Sequence, residues 1–146
     1  MSIQLPSDEQ WNNTMQDFER RIRSLTITPD MDPGRVKYIQ SELQKIYEDL
    51  RPIYGRVKAR DATLQRLIYR VEAKGRTGSS ESARRANGVM ALESYRTEDG
   101  QTVNLFDMEA KSREQKEQVE TLLDIIERKK ESIVTFLSLF KVEASL

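Results

Sequence analysis

Apolar residues recur at three- and four-residue steps from Arg35 to Lys74: Val36, Ile39, Leu43, Ile46, Leu50, Ile53, Val57, Leu64, Leu67 and Val71. This is the heptad rhythm that keeps one seam of a helix facing a helical partner. With Val36 as an a site, the a series continues through Leu43, Leu50, Val57, Leu64 and Val71. The d series reads Ile39, Ile46, Ile53, Arg60, Leu67 and Lys74, so its two intruders are both basic. The spacing predicts one long helix over 33–74, with Asp32 as cap and Pro33 at the first helical position. Pro52 removes one backbone hydrogen bond and clashes with the carbonyl four residues back, which costs about 3 kcal/mol. The register passes through it unbroken, so a kink at Arg51–Gly55 is expected, with a break into two helices as the alternative.

Ahead of this helix, Trp11, Met15, Phe18, Ile22 and Leu25 form one apolar stripe. It predicts a helix over 7–27, capped by Ser7 and with Gln10 at the capping-box position. Trp11 and Phe18 are read as core anchors rather than ligand-stacking groups. The last helix is expected over 105–142, capped by Asn104. Its seam is Leu105, Met108, Ser112, Gln115, Val119, Leu122, Ile126, Lys129, Ile133, Phe136 and Phe140. The seam is thin at Ser112 and Gln115. It is overfull later, where Leu123, Ile125, Val134, Leu137 and Leu139 spread beyond one face. Residues 75–104 form a connector, with Gly75 as the residue ending the long helix. The connector holds a short helix capped by Ser79 or Ser80, then a turn at Asp99-Gly100 that is a loop or a small two-stranded tongue.

The pattern is that of an all-α, single-domain chain over 1–146, built on a long antiparallel, coiled-coil-like helical hairpin of about 60 Å at ~1.5 Å per residue. The short N-terminal helix is expected beside the base, near Phe136 and Phe140, and the short connector helix at the turn. One hairpin cannot bury Leu123, Val134, Leu137 and Leu139 along with the long seam. A homo-oligomer joined through Leu123, Ile126, Ile133, Val134, Phe136, Leu137 and Phe140 is therefore expected.

Composition narrows the chemistry. The 146 residues include no Cys and no His, which removes disulfides, thiolate metal sites and every His-dependent catalytic arrangement. Catalysis would rest on carboxylates alone, for instance Glu93 with Glu98 and Asp99, and these lie in turn-like sequence where acids serve solubility. No enzyme, cofactor or metal is expected. The ten-residue window Ile133–Val142 is the most apolar and is about half a bilayer span. Met1–Pro6 is short and uncharged, unlike a secretory leader. A soluble, cytoplasmic protein without membrane contact is expected.

The zero net charge hides segregation: residues 1–50 carry −3, residues 51–96 carry +7 and residues 97–146 carry −4. A basic end on an otherwise acidic helical protein is a candidate nucleic-acid site, with Tyr54, Tyr69 and Tyr95 among the basic residues as stacking platforms for unpaired bases. The alternative is a solvated face that pairs with acidic protein surfaces. The run LQRLIYRVEAKGRTG (Leu64–Gly78), the short helix after it and the acidic-to-apolar last helix ending Phe-Lys-Val-Glu-Ala resemble small bacteriophage recombination mediators of the UvsY type. That resemblance implies an all-helical oligomer, in a phage-infected bacterial host, that binds single-stranded DNA and helps load a recombinase. It places DNA contact on Lys58, Arg60, Arg66, Arg70, Lys74 and Arg76; Arg84 and Arg85 of the same basic segment join them as candidates. The competing class is a helical structural, adaptor or inhibitor protein of a virion, packaging or assembly machine.

Overall fold

The structure is a computed structural model that describes residues 5–146; the Met1–Gln4 part of the leader reading lies outside the described residues. It is mostly helical. In order come α1 (Asp8–Arg23), α2 (Pro33–Gly75), α3 (Glu81–Glu93), β1 (Tyr95–Arg96), β2 (Thr102–Val103) and α4 (Leu105–Ser145). The chain divides into two compact units: Pro6–Tyr54 with Glu117–Leu146 in one, and, among the described residues, Leu5 with Gly55–Lys116 in the other.

Three helical stretches make the first unit. Ser7 caps α1 by accepting from the Gln10 amide at 3.2 Å. The helix stops at Arg23, four residues short of the expected end. The hydroxyls of Ser24 and Thr26 take the carbonyls of Arg21 and Arg23 that a further turn would have used. Trp11, Met15, Phe18 and Ile22 are buried, as are Val36, Ile39, Leu43, Ile46 and Leu50 of α2 and Val119, Leu122, Ile126 and Ile133 of α4. The expected placement of α1 near Phe136 and Phe140 is corrected. Trp11 Nε1 donates to Gln118 Oε1, and Lys129 Nζ donates to the Leu25 carbonyl at 2.9 Å. Helix α1 therefore runs parallel to α4 from Gln118 to Lys129. The early stretch of α2 is antiparallel to this part of α4, Lys130 meeting Gln44 and Tyr54 meeting Glu120. Lys129 fills a seam site, and burial pulls its amine below the ordinary lysine range.

Residues 33–75 form one uninterrupted helix, so Pro52 does not break it into two. In the second unit, Leu64 of α2, Leu92 of α3 and Leu105 of α4 make a small core. Ser80 caps α3, accepting from the Ala83 amide at 3.1 Å. Gly75 is the last residue of α2, as expected, but it does not take the left-handed φ of a C-terminal glycine cap. A Cβ there would stand 2.5 Å from the Ala91 Cβ, so the glycine lets α3 approach the end of α2. The Asp99-Gly100 turn joins an antiparallel strand pair in which Tyr95 faces Val103 and Arg96 faces Thr102. It is the tongue, not a plain loop.

Candidate nucleic-acid interface

Four-residue steps along an α-helix advance by a small angle, so Arg66, Arg70 and Lys74 lie along one stripe of α2. Tyr69 stands beside them and is 78% exposed. With Ala73 these residues line a shallow depression. The same three cations form one wall of a neighbouring groove whose other wall is the tongue, contributing Tyr95 and Glu98. Among the described residues, no carboxylate lies in ion-pair range of Arg66, Arg70 or Lys74.

The tongue is held by its own hydrogen bonds. The Thr97 amide donates to the Gln101 carbonyl at 2.8 Å and the Gly100 amide to the Thr97 carbonyl at 3.0 Å. Gly100 adopts φ +84°, which favours glycine. The Thr97 hydroxyl donates to Asp99 and accepts from the Gln101 amide at 3.2 Å, and its bond holds the Asp99 carboxyl below the usual aspartate range. Tyr95 is half-buried, packs on the Leu64–Leu92–Leu105 core and lines the groove.

The other expected basic residues have different surroundings. Arg60 is half-buried in the seam, where its Nη1 donates to Gln115 Oε1 at 3.0 Å; burial, then the nearby Arg56, lowers its pKa. Beside it, the Asp61 carboxylate accepts from the Ser112 hydroxyl at 3.4 Å and lies 3.7 Å from Lys116 Nζ. Arg76 pairs with Glu81 at 2.6 Å and with Glu72 at 3.9 Å. Arg84 pairs with the same Glu81 at 3.2 Å and donates to the Gly78 carbonyl. These two arginines fasten the connector to the start of α3. Lys58 on α2 and Arg85 on α3 are exposed outside the groove lining. Of the three tyrosines, Tyr54 donates its hydroxyl to Glu120 at 3.2 Å within the first unit, leaving Tyr69 and Tyr95 at the basic face. Glu98, which the sequence places only in turn-like surroundings beside Asp99-Gly100, also lines the groove.

The expected oligomer-interface residues also divide. Ile126 and Ile133 are fully buried within the first unit and belong to the chain's own core, which corrects their assignment to a subunit contact. Leu123, Phe136 and Leu137 are half-buried, whereas Val134, Leu139, Phe140 and Val142 are exposed. No described helix is long and apolar enough to cross a membrane.

Compared with protein-family models, curated proteins and solved structures, the chain matches none. The likeness to recombination mediators rests on the sequence pattern alone.

Proposed function

We propose that this chain is a non-enzymatic, oligomeric helical-hairpin protein that binds single-stranded DNA along the exposed face of α2. In this reading it acts as a recombination mediator beside a recombinase, in the cytoplasm of a phage-infected bacterium. The supporting observation is the stripe Arg66–Arg70–Lys74, without carboxylate partners among the described residues and flanked by the exposed Tyr69. Unpaired surface cations release counterions when they meet phosphates, and an exposed ring offers a platform to any base.

The test is an anisotropy titration of a labelled single-stranded oligonucleotide at several salt concentrations. Three phosphate contacts give a log–log salt slope of about −2. The triple variant Arg66→Glu, Arg70→Glu, Lys74→Glu abolishes binding, and Tyr69→Ala weakens it by about 1–3 kcal/mol. Absence of binding at low salt refutes the proposal.

The exposed Val134, Leu139, Phe140 and Val142 favour a second reading, an assembly or adaptor component whose partners are proteins. A mass above that of one chain by light scattering, with no nucleic-acid binding, supports that reading.

A further inference from the structure

The tail of α4 carries a stripe that the first unit leaves largely exposed. Helix α1 ends at Arg23, and Lys129 meets the Leu25 carbonyl just beyond that end. Phe136 and Glu143 follow Lys129 at seven-residue steps, so they continue the face of α4 that α1 lies against. Arg128, Ser132, Thr135 and Leu139 fall beside them at four- and three-residue steps. Leu139 is 61% exposed and Phe136 is half-buried, while the other four are exposed. The two hydroxyls are already satisfied by their own helix. Ser132 donates to the Arg128 carbonyl at 3.0 Å and Thr135 to the Glu131 carbonyl at 3.1 Å, so covering them strands no donor. Among the described residues, no carboxylate lies in ion-pair range of Arg128 and no cation in range of Glu143.

Reversed end to end, the stripe complements itself. An antiparallel two-fold axis between Thr135 and Phe136 sets Arg128 opposite Glu143 of a second copy. It also sets Ser132 opposite Leu139 and Thr135 opposite Phe136, so a small side chain meets a large one in each layer. A parallel pair would instead set arginine beside arginine and glutamate beside glutamate. A two-fold contact uses one patch twice and needs this kind of self-complementarity. We infer that the α4 tail is an antiparallel self-association surface whose partner is a second copy of this chain, closed at both ends by Arg128–Glu143 pairs. The stripe spans about 22 Å at ~1.5 Å per residue. One helix face of that length covers less than the roughly 800 Å² per partner of a standard interface, so the association is weak and depends on concentration. The inference rests on the oligomeric reading proposed above and gives it a contact and an orientation.

The experiment follows the mass of the full chain by light scattering and sedimentation over a wide range of concentration at low salt. The proteins are the unmodified chain, Arg128→Glu, Glu143→Arg and the double variant that carries both exchanges. Both positions are exposed, and circular dichroism melts check that each variant folds. The mass of the unmodified chain is expected to rise from one chain to two as concentration increases. Each single variant sets like charges together at both ends and weakens dimerisation roughly tenfold. The double variant pairs opposite charges again and recovers the affinity of the unmodified chain. Assembly that is indifferent to the single variants overturns the inference and leaves the oligomeric reading standing, because a parallel pair already sets like charges together. A double variant that stays as weak as the single ones overturns the Arg128–Glu143 pairing and with it the inference. An unmodified chain that remains single up to near-millimolar concentration overturns both readings.

Discussion

Arg60 Nη1 donates to Gln115 Oε1 at 3.0 Å, joining the basic intruder in the α2 seam to a polar intruder in the α4 seam. Gln115 is 3% exposed, and among the described residues its Nε2 has no protein partner. Removing Arg60 alone leaves the amide's oxygen unpaired as well. Arg60→Leu is expected to destabilise the chain by about 1–3 kcal/mol. Adding Gln115→Leu removes the orphan and restores most of the loss, because apolar seam residues need no partner. Urea melts of both single variants and the double variant, read as a thermodynamic cycle, measure the coupling. Strictly additive effects would show that the bond contributes nothing. Oligonucleotide affinity in Arg60→Leu should stay close to that of the unmodified chain, since the guanidinium is engaged in the seam.

Much of the helical layout was legible because heptad periodicity is a local signal. Val36, Leu43, Leu50, Val57 and Leu64 follow it into the core, and Ser7, Ser80 and Asn104 cap the helices that their positions announce. Nonlocal pairings were not legible. Nothing in the spacing of α1 says that Trp11 meets Gln118 rather than a residue near Phe136, or that Arg76 and Arg84 share Glu81. Likewise, the charge excess of the basic segment counts Arg60, Arg76 and Arg84 equally with Arg66, Arg70 and Lys74. Only the folded chain separates arginines that are paired within it from cations that line a groove. The place of Glu98 in the groove lining is not legible either, as a single acid in a polar turn carries no periodicity.

Two glycines of α2 make opposite predictions. A methyl group at Gly75 would stand 2.5 Å from the Ala91 Cβ and 3.2 Å from the Asn87 carbonyl oxygen. Gly75→Ala must push α3 away from α2 and is expected to cost about 1–3 kcal/mol. At Gly55 nothing lies within 4 Å of the added carbon, and the residue is helical. Gly55→Ala should stabilise the chain by about 0.5–1 kcal/mol through the lower backbone entropy of its unfolded state. Thermal and urea melts of the two variants decide the matter; equal effects would mean that α3 does not pack closely on Gly75.

Acid should act on the tongue through Asp99. The Thr97 hydroxyl holds its carboxyl below the ordinary value of 3.8, so the folded form binds a proton less readily than the unfolded one. The stabilisation is fully present above the unfolded value and is lost as pH falls through the lower folded value. The turn should keep its protection from neutral pH down through the ordinary aspartate range and loosen only below it. Exchange of the Gln101 amide, which donates to the Thr97 hydroxyl, reports the change. In Asp99→Asn that acid dependence should vanish, and its persistence would place the titrating group elsewhere.

Adjacent residues on α4 separate the chain's own core from the surface proposed for assembly. Ile133 is 0% exposed and Val134 is 58% exposed. Placing a charge at Ile133 buries it without a partner, and Ile133→Lys is expected to cost more than about 3 kcal/mol and to lower the melting temperature sharply. Val134→Lys with Leu139→Lys puts charges where each chain meets solvent, so the helical signal and melt of dilute protein should change little. If chains assemble through this apolar face, the paired surface substitution lowers the mass measured by light scattering at high concentration. An unchanged mass would remove Val134 and Leu139 from any subunit contact. The contrast isolates assembly from folding because neighbouring positions on one helix receive the same substitution. Only the direction in which the helix turns each side chain differs between them.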